Sequence, residues 1–188
     1  MNFSTRDKQK FAVYQTIDYF LNAKKEYPDR PAKFLWNAKM RSGKTFATYQ
    51  LAKKMDFKKI LILTFKPAVE SAWQEDISKH IDFAGWQFVS NKEAKFDKKK
   101  FDEQFYACNK RDPIVVFGSF QYLLGTNHAG GIKAKNEFIH TENWDLVVFD
   151  EYHFGAWREN PKNLFKNSMR KTTISTSKNT KKKKPATP

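Results

Sequence analysis

The chain has 188 residues, a hydrophobic fraction of 40% and a formal net charge of +15. This length accommodates one full α/β domain but not two large ones, and the hydrophobic content excludes a chain that is disordered throughout. Eight of the Lys and Arg residues follow residue 165, where no acid occurs, so +15 less eight leaves +7 on the first 165 residues. This balance favours a polyanionic partner such as nucleic acid, although surplus lysine is also typical of an ordinary solvated surface.

Several classes of protein are excluded by composition. The single cysteine, Cys108, permits neither an internal disulfide nor a cysteine metal cluster, and the four histidines show no ligand spacing. No apolar run is long enough to span a membrane, and the N-terminal residues lack the apolar core of a signal peptide. The sequence therefore predicts a cytoplasmic protein without a membrane partner.

The first half of the chain alternates between helical and extended patterns. A helix is predicted over roughly residues 7–25, because apolar residues recur there at helical spacing: Phe11, Tyr14, Ile17 and Leu21. A short apolar strand (33–37) and a helix (45–55) follow. Residues 59–65 form a near-continuous apolar run, which is typical of a strand buried on both faces.

The second half continues this alternation. Pro67 is placed where a helix can begin, and an apolar face follows it: Val69, Ala72, Trp73 and Ile77. Residues 86–89 form a possible short strand, the charged segment 92–109 is predicted to be a surface helix or an insertion, and 114–117 and 146–149 are further buried strands. Apolar strands that alternate with helices predict an α/β fold with a mainly parallel sheet and helices on both faces. Residues 178–188 are predicted to be a disordered basic tail, which leaves a domain over 1–177.

The segment 38–45 has the pattern of a phosphate-binding loop. It lies between a predicted strand and a predicted helix, where successive backbone N–H groups at a helix N-terminus bind phosphate. Lys44 would reach the β- and γ-phosphates of ATP and the Thr45 hydroxyl would hold Mg²⁺. The alternative is an ordinary helix start with Thr45 as its cap. The predicted nucleotide-binding residues are Ala38, Lys39, Met40, Arg41, Ser42, Gly43, Lys44 and Thr45.

The loop departs from the usual pattern at its first position. That pattern begins with glycine, whereas this sequence has Ala38. Alanine avoids positive φ, so the loop must begin in a conformation that a Cβ tolerates.

An acidic pair follows the last predicted strand. Asp150, at the carboxyl end of a buried strand, is suited to coordinate Mg²⁺, and Glu151 is suited to orient and deprotonate a water molecule. Alone, such a pair is typical of a solvated cap on the next turn, and His153 is typical of a surface histidine. Together with the phosphate loop, the pair predicts a site for Mg-ATP.

These two segments also resemble a known family. Residues 38–45 and Asp150-Glu151-Tyr152-His153 resemble motifs I and II of superfamily 2 helicases and translocases of the DExH branch, with similarity over roughly residues 8–176. Residues 37–45 and 150–158 are particularly similar to helicase domains of bacterial restriction-type DNA enzymes. The resemblance implies a RecA-like lobe that uses ATP and Mg²⁺. It also implies catalytic roles for Lys44, Asp150 and Glu151, with His153 relaying the nucleotide state to nucleic-acid contacts.

The resemblance implies further contacts around this site. Gln15 lies where these enzymes have an adenine-contacting glutamine. Loops after two predicted strands resemble motifs that touch nucleic-acid phosphates, with DNA rather than RNA as the expected track: Thr64 and Lys66 in one, Ser119 and Gln121 in the other. The alternative for both loops is ordinary strand-end chemistry.

The family's ATP sites close between two RecA-like lobes, and an arginine finger can be worth about a thousandfold in rate. This sequence resembles the first lobe only, and residues 172–177 match the family's Ser-Ala-Thr motif loosely. The resemblance thus implies a second lobe as partner and weak or no hydrolysis by this lobe alone. A nonhydrolytic nucleic-acid-binding module is the alternative. An unrelated P-loop kinase or switch ATPase would explain the loop but not the Asp-Glu-x-His order.

Overall fold

The structure is a computed structural model that describes residues 5–39, 42–92, 100–123, 133–150 and 172–177. The helices are α1 (Asp7–Glu26), α2 (Lys44–Lys54), α3 (Glu70–Lys79), α4 (Phe101–Ala107), α5 (Phe120–Leu123) and α6 (Glu137–Thr141). The strands are β1 (Lys33–Asn37), β2 (Lys59–Thr64), β3 (Gln87–Ser90), β4 (Ile114–Ser119), β5 (Leu146–Asp150) and β6 (Thr172–Ser177). Short 3₁₀ turns cover Pro67–Val69, Ile81–Phe83 and Ala134–Asn136.

The six strands form one sheet in the order β1-β6-β5-β2-β4-β3. Each neighbouring pair is parallel. Parallel strands need crossover connections, and in the described chain helices supply several of them. The predicted α/β fold with a mainly parallel sheet is confirmed.

Helices cover both faces of this sheet. In β2, Ile60 and Ile62 belong to a core with residues of α1, α2 and α3, whereas Leu61 and Leu63 belong to a core with residues of α4, α5 and α6. Successive side chains of a strand point to opposite faces, so a strand buried on both sides is apolar at every position. This is the physical reason for the near-continuous apolar run in the sequence.

Helix α1 is present as predicted, but the side that it buries differs from the predicted apolar stripe. Val13, Thr16 and Phe20 are buried. The stripe residues Phe11, Tyr14 and Leu21 are exposed by 68%, 52% and 46%. The buried side of α1 includes a polar residue, Thr16, which an apolar pattern does not reveal. Its hydroxyl can be buried because it donates to the Ala12 carbonyl (2.7 Å) and accepts from the Trp36 indole N–H (2.8 Å).

Two further expectations about helices need correction. In α3, Trp73 and Ile77 are buried as predicted, but Ala72 is exposed. The segment 92–109 is not simply a surface helix: α4 buries Phe101 and Phe105, and the Phe105 ring stacks on the Phe138 ring with centroids 4.8 Å apart. Phe101 and Phe105 are four residues apart and share one side of the helix, which makes α4 part of the core.

Strand β6 was not predicted, and it lies inside the sheet between β1 and β5. Its backbone pairs Ser177 with Asn37 of β1 and Ser175 with Phe149 of β5. Residues 172–177, which resemble the last motif of the lobe, therefore lie between the strand before the phosphate loop and the strand that ends at Asp150.

The parallel arrangement brings the predicted site residues to one edge of the sheet. In the register, Thr64 at the end of β2 is opposite both Asp150 of β5 and Ser119 of β4. Ligands of open parallel sheets bind at the carboxyl ends of the strands.

Among the described helices, none is long and apolar enough to cross a membrane.

Candidate nucleotide-binding site

The phosphate loop ends at Gly43, which is the N-cap of α2 and has φ 76° and ψ 36°. This left-handed conformation favours glycine because it lacks a Cβ. Within the described residues, positive φ occurs at Gly43, Gly85 and Asp56, so Ala38 does not need it. The expectation that the loop begins in a conformation suited to alanine is confirmed. Met40 and Arg41 lie outside the described residues.

Gln9 of α1 fixes this loop, although no sequence pattern predicted a role for it. Its side-chain amide donates to the carbonyl oxygens of Ser42 (2.9 Å) and Gly43 (3.3 Å). Its amide oxygen accepts from the backbone N–H of Arg6 (2.8 Å). A Cβ at Gly43 would clash with the Gln9 amide nitrogen. The available signal was the position of Gln9 at the third residue of α1, where a Gln side chain closes a capping box.

Lys44 and Asp150 meet at the edge of the sheet. The Lys44 ammonium nitrogen lies 3.8 Å from Asp150 Oδ1, and the two side chains are exposed by only 19% and 8%. Alternate residues of a strand point to the same face of the sheet. Leu146 and Val148 of β5 face α1, α2 and α3, so the Asp150 carboxylate also points to the side of α2. The structure thus joins the two sequence segments that were predicted to share a site.

The residues present fit a magnesium ion. Mg²⁺ prefers oxygen ligands, and the Asp150 carboxylate and the half-buried Thr45 hydroxyl, at the second residue of α2, are of that kind. The Ser42 hydroxyl oxygen is buried and has no hydrogen-bond partner among the described residues. A buried polar atom in that position is suited to a phosphate or to a water molecule bound to it.

An open cavity of about 660 Å³ lies beside the phosphate loop. This volume is in the range of ligand sites. Its walls come from α1, β1, the loop and the start of α2, and they include Gln9, Phe11, Gln15, Trp36 and Lys44. Gln15 is exposed within this wall, so an adenine contact by Gln15 stays a prediction, with Gln9 as a second amide on the same side.

The predicted nucleic-acid residues divide into two groups. The side chain of Thr64 is buried and its hydroxyl accepts from the Lys66 N–H (3.1 Å), while the Ser119 hydroxyl accepts from the Tyr122 N–H (3.2 Å). These two hydroxyls shape their turns. Lys66 and Gln121 are exposed, and their contacts with nucleic-acid phosphates stay a prediction.

The two loops are joined by stacked aromatic rings. Phe65, next to Lys66, stacks on Phe120 with centroids 4.4 Å apart, and Phe120 stacks on Phe149 at 5.7 Å. Phe149 immediately precedes Asp150. The packing therefore connects both loops to the strand that carries the acid.

Glu151 and His153 lie outside the described residues, so their predicted roles stay predictions. The described geometry has a parallel sheet, a phosphate loop between β1 and α2, and a lysine–aspartate contact at the strand ends. These features define a P-loop NTPase lobe of the RecA-like class.

The chain matches the family model "Type III restriction enzyme, res subunit" over residues 2–182 and belongs to that family. A relative from Mycoplasma pneumoniae, named "Putative type II restriction enzyme and methyltransferase RM.MpnORF110P C-terminus", is 36% identical over 159 residues. The match includes 81% of this chain and 20% of the relative, so the chain spans about a fifth of that protein's length.

Solved structures with the same fold include a helicase and a restriction-modification enzyme. The UvsW helicase from bacteriophage T4 superposes with a TM-score of 0.58 at 16% identity, over 93% of this chain and 53% of that one. A nuclease-deletion mutant of the Type ISP restriction-modification enzyme LlaGI, in complex with a DNA substrate mimic, gives 0.52 at 13% identity, over 94% and 17%. At these identities the likeness shows the fold, which is that of RecA-like helicase ATPase domains.

Proposed function

We propose that this chain is the ATP-binding first motor lobe of a DNA helicase or translocase of a restriction system, and that it works with a second RecA-like lobe. The observation that carries the proposal is the 3.8 Å contact between Lys44 and Asp150, which joins the phosphate loop to the acidic strand end in a largely buried setting. Membership of the restriction-subunit family and the helicase-type fold support the same reading.

The residues have distinct roles in this proposal. Backbone N–H groups of the phosphate loop at the start of α2 bind the phosphates, and Lys44 exchanges its contact with Asp150 for the β- and γ-phosphates. Thr45 and Asp150 hold Mg²⁺, which when bound neutralises charge that develops on the phosphate oxygens.

The remaining steps belong to residues outside the phosphate loop. Glu151 orients the attacking water and accepts its proton, and His153 relays the nucleotide state to the nucleic-acid contacts. Gln15 and Gln9 line the side of the cavity where the base would lie. An arginine from the second lobe completes the site, so this lobe alone binds nucleotide and hydrolyses it slowly or not at all.

The test of the nucleotide site is a calorimetric titration of Mg-ADP into the wild-type chain and into Lys44→Ala. Hydrogen bonds to charged groups contribute about 1.5–3 kcal/mol, so the variant should bind at least about tenfold more weakly. Lys54→Ala is the matched control, because Lys54 is an exposed lysine at the far end of the same helix. Equal affinity of all three proteins would contradict the proposed role of the loop.

The DNA contact has its own test. Lys66→Ala should reduce the slope of log affinity against log salt concentration by about 1, because one phosphate contact is lost. Lys58→Ala is the control, since Lys58 precedes β2 at the opposite edge of the sheet. The nonhydrolytic binding module predicts a different outcome. The chain would bind no Mg-ADP, and its DNA affinity would be the same with and without nucleotide and in Lys44→Ala.

A further inference from the structure

Trp73 contacts one carboxylate oxygen of Asp150, Oδ2, and has no role in the proposed function. Trp73 of α3 is 2% exposed, and its indole N–H donates to Asp150 Oδ2 over 3.4 Å. Lys44 lies near the other oxygen, Oδ1. The two carboxylate oxygens therefore have different neighbours: one faces a neutral buried donor and the other faces the phosphate loop.

Trp73 is itself held in place by α2. The Tyr49 hydroxyl donates to the Trp73 carbonyl oxygen (3.0 Å), and the two rings meet edge to face with centroids 5.5 Å apart. Tyr49 is completely buried, and this burial raises its pKa well above the ordinary value, so its hydroxyl keeps the proton that it donates. The indole is thus anchored by the same helix that begins at Lys44.

We propose that Trp73 is a positioning residue that orients the Asp150 carboxylate for magnesium. By donating to Oδ2, the indole N–H fixes the rotation of the carboxylate and leaves Oδ1 directed toward Lys44 and the phosphate loop. Neutral donors that orient a metal-binding carboxylate act on metal affinity without touching the metal. The inference rests on the proposed nucleotide site and names a residue that determines how that site takes Mg²⁺.

The experiment measures ADP binding by calorimetry with Mg²⁺ and with EDTA, for the wild-type chain, Trp73→Phe and Trp144→Phe. Trp144 is the matched control, because it is also buried and its indole N–H donates to the Ile139 carbonyl (2.9 Å), on the other face of the sheet. Loss of an orienting partner typically costs 10–100-fold in metal affinity. Because the contact in this protein is long, we expect about a tenfold smaller gain in ADP affinity on adding Mg²⁺ for Trp73→Phe, and an unchanged affinity in EDTA.

The outcomes separate the two proposals. If the wild-type chain shows no binding of Mg-ADP, the proposed function and this inference both fail. If the wild-type chain binds and Trp73→Phe keeps the same magnesium gain as Trp144→Phe, the inference alone is overturned. Circular dichroism checks that each variant is folded. Should Trp73→Phe be unfolded, Tyr49→Phe keeps the indole but removes its anchor, and it should reduce the magnesium gain by about twofold to threefold; an unchanged gain would again overturn the inference.

Discussion

Replacement of Gly43 by alanine is the sharpest test of how the phosphate loop is built. Two costs are expected. The first is backbone strain, because φ of 76° is left-handed and a non-glycine residue there costs about 1–2 kcal/mol. The second is displacement of the Gln9 amide, which would break its hydrogen bonds to Ser42 and Gly43, each with a net contribution of about 0.5–1.5 kcal/mol. Gly43→Ala should therefore lower the free energy of unfolding by about 2–5 kcal/mol.

Gly85 provides a matched control. It has a similar φ of 85°, but a Cβ there would meet nothing within 4 Å. Gly85→Ala should thus show the strain alone, about 1–2 kcal/mol. The difference between the two substitutions measures the contact with Gln9.

The assay is urea unfolding followed by tryptophan fluorescence, for both glycine variants, for Gln9→Ala and for the Gln9→Ala/Gly43→Ala double variant. Removing the Gln9 side chain removes the clash, so Gly43→Ala should cost only about 1–2 kcal/mol in that background. The double-mutant cycle should give a coupling energy of about 1–3 kcal/mol, the contribution of the two hydrogen bonds. A coupling energy near zero, with equal losses for Gly43→Ala and Gly85→Ala, would refute the inference that Gln9 fixes the loop.

Three other substitutions test a buried hydrogen bond, a close contact at a glycine and the titration of a partly buried histidine, each by urea unfolding. Thr16→Val removes the acceptor of the buried Trp36 N–H and should destabilise the protein by about 1–3 kcal/mol; no loss would refute the role of that bond. Gly118→Ala should cost about 1–3 kcal/mol, because a Cβ there lies 2.5 Å from the buried Leu123, and Leu123→Ala should relieve much of this cost. Burial lowers the pKa of His140, so the folded state binds a proton less readily than the unfolded chain; stability should fall as the pH drops below about 6.5, and less so in His140→Asn.

The sequence predicts the strands well where they are apolar on both sides. Residues 59–65, 114–117 and 146–149 correspond to β2, β4 and β5, since only a strand between two helical layers needs an apolar side chain at each position. The sequence does not predict β6. Its residues Thr172, Thr173, Ile174 and Thr176 are β-branched and favour a strand, but the hydroxyls of the threonines hide that preference from a search for apolar runs.

The sequence likewise predicts some residues of the candidate site but not others. Lys44 and Asp150 follow from sequence patterns that encode a fixed geometry, a helix start and a strand end. Gln9 and Trp73 do not, because their value lies in contacts with residues far away in the chain: Ser42 for one and Asp150 for the other. Such contacts depend on how α1 and α3 pack on the sheet, and a helical pattern leaves that rotation open, as the exposed stripe of α1 shows.

The position of β6 leaves room for a ligand in the proposed nucleotide site. Neighbouring strands lie about 4.8 Å apart, so one intervening strand places the ends of β1 and β5 about 10 Å from each other. The strand before the phosphate loop and the strand that ends at Asp150 have β6 between them. If β1 paired directly with β5, as the apolar strands alone would allow, the loop and the carboxylate would be too close to admit phosphates and a hydrated metal ion. The 3.8 Å contact between Lys44 and Asp150 therefore spans a gap, because the long lysine side chain reaches across it from α2. In the proposed nucleotide site, phosphate would take up that ammonium group, and the gap would then leave space for a metal ion held by Asp150.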